Sequence, residues 1–253
     1  MKKILYTLVA LSFLASPVIA QQRVESFKLT WENNNKTVLL FTGDVKKGLV
    51  AAIIAKWQES HFTKLIMNSP GGLSYEGSKL SRFIKKTGVS VLIKKGTGCM
   101  SACAYAAISS PNLVVNGVIG FHMGYLPEFP QTMSIEKYTK VIRASDLDSL
   151  GNIAINNYSL MLYAIILRES SRDVFIVFFD ENDLLKFKAT NLANLITPPP
   201  EYQRLYRVMK SIDVARYLYA QQLEIRANAQ SRNLETKRKA EREAVKKPVM
   251  VPK

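Results

Sequence analysis

Two short segments of the chain carry residue types that suit nucleophilic catalysis. The first, Gly98–Ala104, places Ser101 on a glycine-containing turn that enters a helix of small residues. The second ends a short apolar strand with His122. An imidazole with a pKa of about 6.5 can accept a serine proton at neutral pH. The chain has two histidines, so a histidine base is either His122 or His61, and His61 lies in a linker typical of the surface.

A third segment, Asn68–Gly72, contains two consecutive glycines in front of a predicted helix. Glycine leaves backbone N–H groups unobstructed, and such donors beside a helix N-terminus can stabilise a developing oxyanion. The N–H of Gly71 or Gly72, together with that of Ala102, is therefore a candidate oxyanion hole. Each segment alone also has a plain interpretation: a tight turn at Pro70, a serine packed in a helix, and a structural histidine.

Alternating strands and helices must position these three segments. Apolar β-branched runs predict strands, and helical spacing of residues such as Leu49, Ile54 and Trp57 predicts a buried helix face. The predicted strands are 27–31, 37–42, 63–67, 89–93, 113–115, 118–121 and 173–179, and the predicted helices are 47–60, 72–86, 100–108 and 134–169. This order predicts an α/β domain with a largely parallel sheet, whose site lies at the carboxyl ends of the strands.

Taken together, the segments resemble the Clp protease proteolytic subunit of the Clp–crotonase superfamily, and in particular its exported periplasmic members. Cys99–Cys103 is similar to their Cys-x-Ser-Ala-Cys pattern, and Gly120–His122 to their Gly-Phe-His. The resemblance is strong over Thr63–Tyr125, about a quarter of the chain. It implies a repeated ββα spiral and a serine peptidase that works through an acyl-enzyme, without metal or cofactor. Ser101 would be the nucleophile and His122 the general base.

The same resemblance also predicts where the acid that orients His122 should lie: after a long helix and just before the next strand. Asp173, within Ser171–Phe175, matches that position. Asp180 and Asp183 are competing candidates, and a surface aspartate at a helix end is the plain interpretation of each. A buried acid beside a catalytic imidazole holds the ring in orientation and stabilises its charged form.

Three other functions stay open at this point. Ile108–Asn112 departs from the family's Ala-Gly turn and basic residue, which also fits a catalytically inactive, peptide-binding or scaffold protein. A Ser-Lys peptidase resembling signal peptide peptidase A would use Lys94 or Lys95 as its base. An acyl-CoA enzyme of the crotonase type is disfavoured, because CoA is cytosolic and the chain is expected to be exported.

Cys99 and Cys103 are four residues apart, which stacks them if the segment is helical. In an oxidising compartment they can form a disulfide that braces the nucleophile turn. Zinc binding by both cysteines and His122 is the alternative use, and it would remove the base. A chain with two cysteines is neither a disulfide framework nor a multi-cysteine zinc scaffold.

The N-terminal segment predicts export. Lys2 and Lys3 precede an apolar run that is too short to span a bilayer, and a small-x-small pattern follows. Residues 1–20 are therefore expected to be a signal peptide cleaved near Ala20, with an uncleaved anchor as the alternative. The mature protein would be periplasmic or secreted. Its net charge, +15 before cleavage, fits anionic surfaces, and export makes nucleic acid an unexpected partner.

Two units are expected after the signal peptide, an α/β domain over 21–200 and an extension over 201–253. Thr197–Pro200 marks the boundary. Beyond it, apolar residues at helical spacing predict an amphipathic helix that serves the core or a homo-oligomer contact: Tyr202, Leu205, Met209, Ile212 and Tyr219. From Arg226 onward the chain is charged, with nine Lys and Arg against four Glu counted from Gln221, which predicts a solvated helix that frays into disorder at Pro248. This basic, partly disordered tail suits an anionic surface. The expected substrates are peptides or unfolded proteins.

Overall fold

The structure is a computed structural model, and it describes residues 27–122, 158, 160–171, 173–187 and 200–246. Several predicted features lie outside the described residues. These are the signal peptide at 1–20, residues 123–157 with most of the predicted long helix, the boundary residues 197–199, and the end of the tail at 247–253. Within the described part, the chain is mixed α/β with a C-terminal helix, which confirms the predicted α/β class. The sequence predicts one largely parallel sheet, whereas the strands form two sheets, the second of which is mostly antiparallel.

The first sheet contains five strands, namely β1 Phe27–Trp31, β2 Val38–Gly43, β3 Lys64–Asn68, β4 Ser90–Ile93 and β6 Leu113–Val115. Their order across the sheet is β1-β2-β3-β4-β6. β1 pairs antiparallel with β2, and the remaining pairings are parallel. Three of the four pairings in this sheet are therefore parallel, as the sequence predicts. Only β3 is buried on both faces, while β2 and β4 alternate between buried and partly exposed residues.

The second sheet contains four strands, in the order β5 Gly98–Met100, β7 Val118–Phe121, β8 Val174–Phe178 and β9 Arg207–Lys210. β5 and β7 are parallel, whereas β8 runs antiparallel to both β7 and β9. The predictions of helix at Met100 and Met209 are wrong. Met100 pairs with Gly120 and Met209 with Phe175, so strand pairing overrides the helical spacing of the sequence.

Six labelled helices occur in the described part: α1 Leu49–Ser60, α2 Ser74–Thr87, α3 Ala102–Ala107, α4 Leu160–Glu169, α5 Glu181–Leu185 and α6 Ser211–Lys246. A short 3-10 helix, Pro200–Arg204, precedes β9. The helix predicted beyond the proline boundary therefore begins only at Ser211. Among the described residues, no helix combines the length and the apolar character needed to cross a membrane.

The main hydrophobic core joins the first sheet to α1, α2, α3 and α4 and reaches β7 and β8. A smaller cluster lies on the other side of the second sheet, where Met100, Val118 and Phe175 pack against Val214 of α6. The first turns of α6 are therefore held on the second sheet by apolar contacts. This matters for the site, because Met100 and Phe175 both neighbour the candidate catalytic residues.

Candidate active site

The second sheet brings the three segments singled out by the sequence to one edge. Ser69 forms a parallel bridge with Cys99, so the loop after β3 runs beside β5. On the other side of β5, the Ser101 N–H donates to the Gly120 carbonyl at 2.8 Å and continues the parallel pairing with β7. Because parallel strands end at the same edge, Ser101 and His122 leave the sheet side by side.

Ser101 stands on the sharp turn between β5 and α3 in a strained backbone conformation. Its φ is 54° and its ψ −127°, and it is one of three non-glycine residues with positive φ among those described. Such conformations cost about 1–3 kcal/mol and cluster at active sites. The side chain is partly exposed, whereas every residue of α3 behind it is buried. This strand-turn-helix arrangement is the one that presents a catalytic nucleophile.

The imidazole of His122 lies directly against this hydroxyl. Nε2 is 2.7 Å from Ser101 Oγ, within reach for proton transfer. The residue is 4% exposed, and its ring packs on that of Phe175 with centroids 4.4 Å apart. Its backbone carbonyl accepts a hydrogen bond from the Tyr105 hydroxyl at 3.2 Å. These contacts fix both the ring and the strand end that carries it.

The environment of His122 favours the neutral imidazole. Burial lowers its pKa below the ordinary value of 6.5, while a hydrogen bond with the Ser171 backbone and the charge of Asp173 oppose that shift. Burial is the largest of these effects, because the charged ring would lose its hydration. The imidazole therefore remains able to accept a proton in mildly acidic solution.

The segment that carries Asp173 approaches His122 because β8 is antiparallel to β7, so the start of β8 lies beside the end of β7. Asp173 itself is exposed and acts on the imidazole through its charge. The backbone of Ser171, two residues earlier, supplies the hydrogen bond. The hydrogen bond between the Ser171 backbone and His122 was not predicted, because a backbone group is present at every residue and the sequence does not indicate which one will be used.

The other residues considered for the acid and base roles are engaged elsewhere. The contacts are a backbone cap and three ion pairs: Asp180 with the Asn182 N–H, Asp183 with Lys186, Lys94 with Glu32, and Lys95 with Glu224. None of these contacts includes Ser101 or His122. A lysine base at position 94 or 95 therefore has no support in the geometry.

Gly71 lies in van der Waals contact with the nucleophile turn. A Cβ atom there would stand 2.5 Å from Ser101 Cβ and 2.6 Å from the Met100 carbonyl oxygen. Its φ of 99° also belongs to the region that favours glycine. The Gly71 N–H donates to Ser69 Oγ at 3.1 Å. The glycine therefore allows the loop to approach Ser101, while its own N–H has a partner within the loop.

Gly72 and Ala102 offer the other two candidate N–H groups. Gly72 forms a parallel bridge with Val45, whose N–H and carbonyl bond to the residues on either side of Gly72. In a paired strand, the backbone groups of successive residues point to opposite sides. The Gly72 N–H therefore points away from Val45. Ala102 is the first residue of α3, where N–H groups have no acceptor within the helix.

Cys99 and Cys103 form a disulfide, which confirms the predicted pairing. Cys99 belongs to β5 and Cys103 to α3, and both are fully buried. The bond therefore ties strand to helix across the turn that carries Ser101. Zinc binding by these cysteines does not apply, because both sulfurs are in the disulfide. No group of three or more potential metal ligands occurs in the part of the chain that the structure describes.

Replacing both cysteines by alanine is expected to lower the free energy of unfolding by about 2 kcal/mol, because the bond closes a short loop in the unfolded chain. Urea unfolding of the double variant beside the oxidised protein measures this difference. Reductant should destabilise the unmodified protein and leave the double variant unchanged. Equal stability of the two proteins under oxidising conditions would contradict the bracing role.

An apolar pocket of about 280 Å³ adjoins the site. Its lining includes Pro70, Met100 and Phe175 from around the site and Val214 and Leu218 from α6. Pro70 directly precedes Gly71, and Met100 directly precedes Ser101. Phe175 packs on the ring of His122. The contribution of α6 was missed in the sequence, although the i, i+4 spacing of its two apolar residues is typical of a packed face.

Comparison of the chain with protein-family models and with curated proteins gives no match. A serine on a strained turn, an imidazole against its hydroxyl, the N–H of Ala102 at the start of the next helix and an apolar pocket beside them are the kinds of group that nucleophilic acyl transfer uses.

Proposed function

We propose that the protein is an exported serine peptidase in which Ser101 is the nucleophile and His122 the general base. The observation that carries this proposal is the 2.7 Å separation of Ser101 Oγ and His122 Nε2 at a strained strand-to-helix turn. Two residues 21 positions apart meet in this way only because β5 and β7 are paired in parallel. The disulfide agrees with an oxidising compartment, periplasmic or extracellular.

In the proposed reaction, Ser101 Oγ attacks the scissile carbonyl carbon while His122 Nε2 takes the hydroxyl proton. The carbonyl oxygen becomes an oxyanion, for which we assign the N–H groups of Gly72 and Ala102 as donors. Collapse of this intermediate breaks the C–N bond, and the amine leaves with the proton from His122. Water then hydrolyses the acyl-enzyme with the same imidazole as base.

The Clp–crotonase spiral is part of this proposal. It is supported by the order of three units along the chain: β3 leading through Gly71 into α2, β5 leading through Ser101 into α3, and β7 ending at His122. Asp173 is proposed as a positioning residue that acts through its charge, with the Ser171 backbone as the nearer partner. The apolar pocket favours an apolar side chain beside the scissile bond of a peptide or unfolded protein.

Fluorophosphonate labelling of the protein lacking residues 1–20 tests the proposal. Ser101 Oγ would displace fluoride from phosphorus, so one adduct should form and mass spectrometry should place it on Ser101. Ser101→Ala should abolish the adduct, whereas Ser60→Ala, a half-buried serine outside the site, should not. Absence of labelling in oxidised protein would reject the peptidase and favour an inactive, peptide-binding role.

The labelling rate should depend on pH with a midpoint below about 6.5, because the base must be neutral and burial lowers its pKa. Asp173→Asn removes a charge that raises the pKa of His122, so the midpoint should move to lower pH. Asp183→Asn is the matched control, since its carboxylate pairs with Lys186. A midpoint at or above the ordinary histidine value, or a shift in the opposite direction, would contradict this electrostatic account.

A further inference from the structure

A second concave site, the α1–α2 groove, lies between α1 and α2 and shares no residue with the active-site pocket. It encloses about 940 Å³. Its apolar lining is Val50, Ala51, Ile54, Trp57 and Phe83, and its charged lining is Lys47, Lys79, Arg82, Lys86 and Glu76. The size falls within the range of about 300–1,000 Å³ typical of small-molecule sites.

Part of the apolar floor of the α1–α2 groove is open to solvent, although Val50 and Phe83 are buried. Ile54 is 36% exposed although the sequence predicts it on the buried face of α1, so that prediction is wrong at this position. Trp57 is half-buried and meets Phe83 edge-on, with ring centroids 6.1 Å apart. The two rings therefore hold each other in place, and the surface they form with Ile54 suits the binding of an apolar chain.

The rim of the α1–α2 groove carries an excess of positive charge. Its one acid, Glu76, is 3% exposed and already engaged, since it accepts from the Val50 N–H and pairs with Lys79 at 3.1 Å. Within the described residues, no acidic side chain lies at ion-pair distance from the other three rim cations, Lys47, Arg82 and Lys86. A ligand that matches this rim must bring negative charge.

We propose that the α1–α2 groove binds a single-chain anionic lipid, with its acyl chain along Ile54 and Trp57 and its carboxylate or phosphate head at Arg82 and Lys86. Arginine is well suited to such heads because its guanidinium donates two parallel hydrogen bonds. The basic α6 of a second copy is a poorer occupant, because it would bring like charge to the rim. A neutral apolar ligand would leave the rim charges unmatched.

Isothermal titration of the protein lacking residues 1–20 tests this proposal with oleate and oleoyl lysophosphatidate below their aggregation concentrations. At least one anionic lipid should bind at one site per chain, and oleyl alcohol should bind at least tenfold more weakly. Which lipid binds more tightly distinguishes a carboxylate from a phosphate ligand. Arg82→Gln/Lys86→Gln should weaken binding roughly tenfold. The control Lys28→Gln/Lys64→Gln removes two exposed cations outside the groove and should leave affinity unchanged.

Ile54→Glu tests whether the apolar floor of the groove contributes to lipid binding. Leu167→Glu on α4 is the control, because Leu167 has a similar exposed fraction of 41%. Only the first should abolish lipid binding. Equal binding of oleyl alcohol, or equal losses in the control variants, would overturn the proposal. So would a change of sedimentation coefficient on Ile54→Glu alone, which would identify a second copy as occupant. A large loss of stability on Ile54→Glu alone, without lipid binding to the unmodified protein, would identify a segment of this chain.

Discussion

His122→Ala is expected to lower the rate of fluorophosphonate labelling at Ser101 by about 10⁴-fold or more. The hydroxyl is a weak nucleophile unless a base removes its proton, and Nε2 of His122, at 2.7 Å, is the group positioned to do so. The engaged surface lysines offer no substitute. Labelling rates measured over a range of reagent concentrations, together with hydrolysis of an unfolded protein substrate, provide the measurement.

His61→Ala is the matched control, because it removes the other histidine of the chain from an exposed position at the end of α1. It should label at the unmodified rate. His122 is buried, so a thermal unfolding curve must accompany its variant, and His122→Gln repeats the test with a larger side chain. Labelling of folded His122→Gln within tenfold of the unmodified rate would show that another group is the base.

Gly71→Ala is expected to reduce labelling on the order of 10²-fold, because displacement of the reacting atoms by about 1 Å has that effect. The new Cβ would stand 2.5 Å from Ser101 Cβ and 2.6 Å from a backbone carbonyl, and neither atom can move without shifting the nucleophile turn. The donors at Gly72 and Ala102 adjoin the same contact. Labelling rate and the free energy of unfolding should both be measured.

Gly48→Ala is the control that separates two effects of Gly71→Ala, namely the steric clash of the new Cβ and the unfavourable φ. Gly48 has a φ of 93°, close to the 99° of Gly71, but an added Cβ there would meet nothing within 4 Å. Both variants should lose stability from the unfavourable φ, and only Gly71→Ala should lose labelling. Comparable labelling by the two variants would mean that the close approach to Ser101 does not position the site.

The pairing of Ser101 with His122 could be predicted from residue types and from the resemblance of the two short motifs that carry them. The topology that brings the two residues together, β5 paired in parallel with β7, could not be predicted, because of these two strands the sequence indicates only β7. The identity of the acid could not be predicted in the same way. Asp173 acts on His122 through its charge, and the backbone of Ser171 forms a hydrogen bond with the same imidazole, which side-chain types cannot signal.

The elements that the sequence did not predict are those that depend on distant partners. β5 has three residues, and their glycine and cysteine content carries no strand pattern, so its conformation comes from pairing with β7. β9 contains Met209, whose spacing from Tyr202 and Leu205 fits a helix until β8 offers hydrogen bonds. The predicted burial of Ile54 on α1 is wrong for a similar reason, because the neighbouring α2 leaves this side chain 36% exposed at the α1–α2 groove.

The length of α6 limits how far folding cooperativity extends through the molecule. Among the described residues, its last contacts with the rest of the chain are at Gln222, Glu224 and Ile225, which meet Lys95 and Gly96 in the loop between β4 and β5. From Arg226 to Lys246 it continues for roughly 30 Å at 1.5 Å per residue. An unsupported helix of this size is marginal in water and can melt by itself. Its unwinding would therefore leave the Ser101–His122 pair undisturbed, since the turns of α6 that line the pocket unfold with the sheets.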